Sequence, residues 1–272
     1  SVIQEKTTPI PWTSYFEQEF FIKSVTESFT ITFHVYFTPH FGSGPVFVMH
    51  HGAGSSGLSF AMLAKEIREQ LPSAGILSID ARGHGETYVT PEKKNLDLSL
   101  GILSEDLLLV ISKTKLIHNW QEIPPLVLIG HSLGGAVITD IAKSGRLGDN
   151  LLCYIVLDVV EGSAMNALKS MQNYLLARPI SFPSQESAIE WHIKTRTIRN
   201  TTSARTSVPA LIRQDEDLGV WIWRTDLTVT EPYWESWFKG MSQKFLEGRA
   251  GKLLLLAGTD RLDTTLMIGQ MQ

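Results

Sequence analysis

The chain has one cysteine, Cys153, in 272 residues. A single cysteine excludes an intrachain disulfide, and with it the small cross-linked scaffolds of secreted proteins; it fits a reducing compartment. Cys153 falls within the apolar run Leu151 to Leu157 and reads as a buried small hydrophobe. Long apolar runs are also missing. None approaches the ~20 residues that a membrane helix needs, and runs such as Leu253 to Ala257 have strand length. The opening residues lack the charged-then-apolar order of a secretory leader. Basic excess is absent: 24 Lys and Arg face 28 Asp and Glu, a formal net charge of −4, which argues against a nucleic-acid surface. No cluster has metal-ligand spacing, since His50 and His51 are adjacent and would point opposite ways on a strand. No cofactor is implied.

What is present is ordinary globular material, 43% hydrophobic and 19% charged, enough for one large α/β core or a core with a small cap. Residues 1–16 read as an irregular arm. Glu19 to Ile22 and Phe29 to Phe37 alternate as antiparallel strands do. Val46 to His50, Gly75 to Asp80, Leu126 to Ile129, Leu151 to Asp158 and Lys252 to Ala257 are continuous apolar runs suited to a parallel sheet. Helical periodicity falls between them, at Ser59 to Gln70, Leu100 to Lys115 and from Ala136 onward. That alternation predicts an open, mostly parallel sheet flanked by helices. Residues 162–246 break the rhythm and read as a mainly helical cap, with helices at Ala164 to Leu176, Ser184 to Lys194 and Glu231 to Leu246, and a short one within Ser203 to Gln214. The core is then 1–161 and 247–272. The cap holds Trp191, Trp221, Trp223, Trp234 and Trp237, read as its own small core or, alternatively, as the lining of a cleft. Arg213 to Gly219 reads as a solvated acidic loop.

The chemistry is concentrated in Leu126-Val-Leu-Ile-Gly-His-Ser-Leu-Gly-Gly135. An apolar strand running into Gly130-His131-Ser132-Leu133-Gly134 is the G-x-S-x-G pattern of a nucleophile elbow. The turn is so tight that the positions two before and two after the serine must be small. Ser132 is the candidate nucleophile; the plainer reading is a glycine-rich turn with an incidental serine. A serine needs an imidazole base and a carboxylate to orient it. Asp158 and Asp260 both follow core strands after Ser132, and spacing alone does not choose between them. The eight histidines are His34, His40, His50, His51, His84, His118, His131 and His192, and none follows Asp260. The base is therefore expected beyond Gln272, with the chain as written lacking its last strand and helix and being very poorly active. His192 is a weak substitute, and His131 lies on a turn that aims it elsewhere. For the oxyanion hole, Leu133 supplies one backbone N–H. The loop His50-His-Gly-Ala-Gly54 supplies the other through Ala53, with Gly52 and Gly54 allowing close approach. That loop lacks the dinucleotide fingerprint and the P-loop lysine. Arg82 and His84 read as part of a structural turn beside the site.

Together these motifs resemble the α/β-hydrolase superfamily, and within it the methylesterase family that acts on type 2A protein phosphatases. The more discriminating matches are Asp158-Val-Val-Glu-Gly-Ser-Ala-Met165, Ser170-Met-Gln-Asn-Tyr174, Ala188-Ile-Glu-Trp191 and Ile268-Gly-Gln-Met-Gln272. The resemblance implies that Asp158 is the acid, that the catalytic histidine follows Gln272, and that Gln214 to Leu218 stands where relatives carry a longer acidic insert. It implies a serine carboxylesterase that demethylates the C-terminal leucine methyl ester of the phosphatase catalytic subunit. Its partners would be that subunit and its scaffold subunit, with no nucleic acid and no membrane, and the protein otherwise a monomer in cytoplasm and nucleus. Docking could also distort the phosphatase active site and displace its metals. The competing readings are a generic small-molecule esterase or lipase, and a non-catalytic form that only binds phosphatase. Hydrolases with an aspartate nucleophile do not fit the serine at 132.

Overall fold

The computed structural model describes residues 7–93, 96–258 and 262–269. Its main sheet begins with two long antiparallel strands, β1 (Gln18–Val25) and β2 (Thr30–Thr38), joined in full register from Gln18 against Phe37 to Val25 against Thr30. Next come β3 (Val46–His50), helix α1 (Ala61–Gln70), β4 (Gly75–Ile79), the short β5 (Tyr88–Thr90) and helix α2 (Leu100–Ile117). Then follow β6 (Leu126–His131), helix α3 (Leu133–Ser144) and β7 (Leu151–Leu157). After the cap, β11 (Gly251–Leu255) and helix α9 (Thr264–Gly269) continue the core. The strand order is β1-β2-β4-β3-β6-β7-β11, with β5 on β2; β4, β3, β6, β7 and β11 run parallel. β3 and β4 are apolar without alternation because helices cover both faces of the sheet. The core closes on fully buried Phe33, Phe37, Leu107, Val110, Leu128, Val137 and Tyr154. Cys153, expected to be buried, is half-buried on β7, where burial raises its thiol pKa.

The intervening segment opens with helix α4 (Glu161–Ala177) and contains helix α5 (Gln185–Lys194) and helix α6 (Thr201–Ser207). α5 starts at a capping box in which Ser184 and Ser187 bond each other's backbone N–H groups. Sequence periodicity missed the small sheet here: β8 (Ser181–Phe182), β9 (Ile212–Gln214) and β10 (Trp221–Trp223) pair in the order β8-β10-β9. The helix expected within Ser203 to Gln214 therefore ends at Ser207, and the chain passes through a short 3₁₀ turn into β9. The acidic loop is the turn of the β9–β10 hairpin. Asp215 Oδ1 accepts the N–H groups of Asp217 and Leu218, and Gly219 sits at φ +67°. The helix expected over Glu231 to Leu246 is broken into a 3₁₀ turn, α7 (Trp234–Phe238) and α8 (Met241–Glu247), with Gly240 at φ +77° between the last two.

The five tryptophans divide. Trp191, Trp221 and Trp223 pack with Phe182, Ile189 and Val208 in a separate small cluster. Trp234 and Trp237 join the main core, where Trp237 Nε1 donates to the Leu98 carbonyl at 2.7 Å. The N-terminal arm is tied to α6: Ile10 N–H donates to the Arg205 carbonyl at 3.0 Å and Arg205 Nε donates to the Thr8 carbonyl at 2.6 Å.

Candidate active site

Ser132 stands between β6 and α3 at φ 51°, ψ −119°. Such a conformation is strained for any residue with a Cβ. The flanking glycines are required by backbone contact. A Cβ on Gly130 would lie 2.2 Å from the Gly134 carbonyl oxygen, and one on Gly134 would lie 1.9 Å from that of His50. Asp158, one residue past β7, is also left-handed, at φ 56°. Since His131 pairs with Leu157 in register, Ser132 and Asp158 leave adjacent strand ends together, and Ser132 N–H donates to the Leu157 carbonyl at 3.4 Å. Two of the four non-glycine residues with positive φ among the described residues are thus this pair. Asp158 Oδ1 accepts the Ala257 N–H at 2.9 Å, which steadies the carboxylate. Asp260, the other acid weighed from sequence, lies outside the described residues.

Ala53, Leu133, Ser132 and Asp158 line one large cavity of about 1190 Å³. Neither Ala53 N–H nor Leu133 N–H takes a backbone partner among the described residues. Gly52 brings its backbone against the elbow, where a Cβ would meet His131 Nδ1 at 3.1 Å and Ser132 Cβ at 3.2 Å. Gly54 sits at φ +76° under Leu227, whose methyl would be 2.7 Å from a Cβ there. His131 is exposed beside the serine. Its imidazole pKa is lowered by the surrounding protein, with the Asp158 charge pulling the other way. His192 is buried in the cavity wall, its Nδ1–H donating to the Ala188 carbonyl at 2.8 Å. No hydrogen-bond partner for Ser132 Oγ occurs among the described residues, and no group of three His, Cys, Asp or Glu among them could hold a metal ion.

The Asp80-Ala-Arg-Gly-His-Gly segment is the structural turn beside the site that the sequence suggested, though its particular contacts were not legible there. Its histidine holds the oxyanion loop: His84 Nε2 accepts the Gly54 N–H at 2.9 Å while its Nδ1–H donates to the Arg82 carbonyl at 2.9 Å. His51 does the reverse service, donating from Nδ1 to the Gly52 carbonyl at 2.7 Å and accepting the Ala81 N–H on Nε2 at 3.0 Å. Both rings must be neutral to accept these bonds. Asp80 anchors the turn by accepting Gly57 N–H at 2.7 Å and Glu86 N–H at 3.0 Å. Arg82 forms a buried two-point pair with Asp106, at 2.8 and 2.7 Å. The long sequence separations of these contacts hid them. The only signal was a run of glycine, histidine and acid after a strand.

Burial lowers the pKa of His50 to about 4, lowers that of His84, and takes that of His51 well below its ordinary value. A neutral form favoured by folding stabilises above the unfolded value near 6.5, and that stabilisation is lost as pH falls toward the folded value. His34 opposes this. Burial lowers its pKa, but Asp80 and Glu19 on its two ring nitrogens outweigh burial and raise it. His40, His118, His131 and His192 are lowered by burial as well, so seven histidines stand against one and give the expected result: the melting temperature falls between pH 7 and pH 4.5, measured by circular dichroism. A melting temperature that is flat or rises toward acid would contradict the neutral-histidine loop.

The family model for the alpha/beta hydrolase family matches residues 47–272. Protein phosphatase methylesterase 1 of Gibberella zeae is 59% identical over 266 residues, covering 97% of this chain and 66% of that protein. The protein of the same name from Neurospora crassa is 53% identical, covering 97% and 68%, and that from Schizosaccharomyces pombe is 44% identical, covering 96% and 75%. The chain thus spans two thirds to three quarters of the length of these relatives. Among solved structures, E-2-(acetamidomethylene)succinate hydrolase superposes with a TM-score of 0.68 at 15% identity, covering 92% of this chain and 87% of that one. At that identity the likeness concerns the fold.

Proposed function

The chain belongs to the α/β-hydrolases and, within them, to the protein phosphatase methylesterase family; from that premise we propose that it contributes the nucleophile half of a serine carboxylesterase. The substrate is the C-terminal leucine methyl ester of the type 2A protein phosphatase catalytic subunit, alone or with its scaffold subunit. The observation that carries the chemistry is the strained Ser132 beside Asp158, in a cavity also lined by Ala53 and Leu133, whose N–H groups take no backbone partner among the described residues.

In the proposed reaction Ser132 Oγ attacks the ester carbonyl carbon and its proton passes to an imidazole. Ala53 and Leu133 N–H groups receive the oxyanion, and Leu133 gains a second advantage from its place at the start of α3. The tetrahedral adduct expels methoxide, which takes the proton and leaves as methanol. Water then adds to the acyl-enzyme by the same path and frees the leucine carboxylate and Ser132. Asp158 orients the imidazole and stabilises its charged form. No histidine of the described residues bonds Ser132 Oγ, and the proposal takes from the family resemblance that the base is a histidine following Gln272. Cytoplasm and nucleus as the site of action rest on the family resemblance alone.

The test of substrate is a comparison of kcat/KM by the full-length protein for carboxymethylated phosphatase and for p-nitrophenyl acetate. A preference of about 100-fold or more for the protein ester is expected. Equal rates, or a preference for the small ester, would assign the site to general small-molecule hydrolysis.

A further inference from the structure

The cavity is far longer than a methyl ester needs. Helix α4 starts at Glu161, three residues after Asp158, and runs for 17 residues, about 25 Å at roughly 1.5 Å per residue. Ser163, Ala167, Met171, Tyr174 and Arg178 all line the cavity. Their spacing of three or four residues is that of a single helix face, so one wall of the cavity runs the whole length of α4 and ends at Arg178. An extended peptide covers roughly 3.3–3.6 Å per residue, so such a wall accommodates about seven residues.

The charge along this wall is uneven. Among the described residues, Arg178 is the one Lys or Arg that lines the cavity, whereas Asp158 and Asp263 line the end near Ser132. The Arg178 guanidinium lies over the Trp223 ring, 4.6 Å from its centroid. That indole is fixed from both sides. Its Nε1–H donates to the Pro179 carbonyl at 2.8 Å, and His192 meets its ring at 5.7 Å. A guanidinium stacked on a fixed ring has its planar fork pre-aimed. Yet Arg178 has no ion pair or hydrogen bond among the described residues. The neighbouring acid, Asp226, is already engaged by Thr228 through its N–H at 2.9 Å and its hydroxyl at 2.6 Å. Burial lowers the Arg178 pKa, with Tyr174 and Asp226 pulling it back, as for a cation only partly solvated.

Resting on the esterase reading above, we propose that Arg178, stacked on Trp223, is a specificity-determining residue that pairs with an acidic side chain of the substrate peptide about four to seven residues before the ester. The acids near Ser132 favour a neutral ester over a carboxylate at that end, and the cation at the far end favours an acidic residue there. The two together set the direction in which the peptide lies.

The test uses the full-length protein carrying Ser132→Ala, so that esters persist, and two fluorescently labelled peptide methyl esters. They are alike except that one has Asp or Glu in the stretch four to seven residues before the ester and the other has Asn or Gln. Fluorescence anisotropy is expected to show about tenfold tighter binding of the acidic peptide, a preference that shrinks at high salt. Adding Arg178→Gln is expected to remove the preference, and Arg178→Lys to retain only part of it. Equal binding of the two peptides, no binding of either, or a preference that survives Arg178→Gln would each overturn the proposal. The wild-type Arg178 arm decides even if a variant fails to fold. Turnover with Ser132 in place separates the two claims. Methanol released equally from both peptides would sink the subsite and keep the esterase, whereas no methanol from either, with the binding preference intact, would do the opposite.

Discussion

Ser132→Ala in the full-length protein is expected to lower kcat for the methylated phosphatase by about 10⁴- to 10⁶-fold, the range seen when a serine nucleophile is lost. Association with the phosphatase should stay within a few-fold of the parent, because the hydroxyl makes no hydrogen bond among the described residues and lies at the floor of a large cavity. Ser132→Gly offers a second readout. At φ 51°, ψ −119° the serine occupies a conformation that costs of order 1–3 kcal/mol for a residue with a Cβ. Glycine should therefore abolish turnover while gaining about 1 kcal/mol in stability, where alanine gains nothing. A serine held there only as part of a turn would show the stability change with no loss of turnover. Kinetics and chemical denaturation of the three proteins check both halves.

Gly134→Ala is expected to be the most damaging single-methyl change in the chain for folding. The added carbon would sit 1.9 Å from the His50 carbonyl oxygen, 2.6 Å from its carbon and 2.8 Å from the His51 carbonyl oxygen. All three are main-chain atoms at the end of a central strand, so no side chain can swing away. Either α3 lifts from the sheet or β3 shifts, and both movements open the packing of Val137 and Ile138. A loss of about 4 kcal/mol or more is expected, near the upper end for single substitutions, which corresponds to a fall of about 10 °C or more in Tm for a domain of this size. Gly101→Ala is the control, since a Cβ there meets nothing within 4 Å. It should leave the Tm unchanged or slightly raised. Similar losses at both glycines would contradict the close approach at the elbow.

The parts of this molecule that sequence made legible are those ruled by local chemistry. Apolar runs without alternation identify β3, β4 and β6 as buried strands because both sheet faces are covered there, whereas the equally apolar β11 is largely exposed. Gly130 and Gly134 identify the elbow because no other residue fits between strand and helix. Long-range structure was not legible in this way. His51 and His84 sit some thirty residues apart and exchange roles across the oxyanion loop, which no spacing rule encodes. The three-stranded sheet of β8, β9 and β10 is built from strands of two or three residues, too short to show a period. The tryptophan cluster could be read as core or as cleft, and it serves as both: Trp234 and Trp237 fill the main core and also line the cavity. Arg178 drew no notice in sequence because a lone arginine after a helix is commonplace. Its position over Trp223, at the end of a continuous cavity wall, is a property of the fold.

Demethylation of carboxymethylated type 2A phosphatase catalytic subunit is the most direct test. It should be followed by mass spectrometry of the C-terminal peptide, comparing these 272 residues with the same chain carrying its natural C-terminal continuation. The account expects loss of the methyl group with the extended chain and, with these 272 residues alone, a rate close to that of Ser132→Ala. No demethylation by the extended chain would contradict the assignment of Ser132 to this ester, and full activity in the 272 residues would contradict a base that lies beyond Gln272.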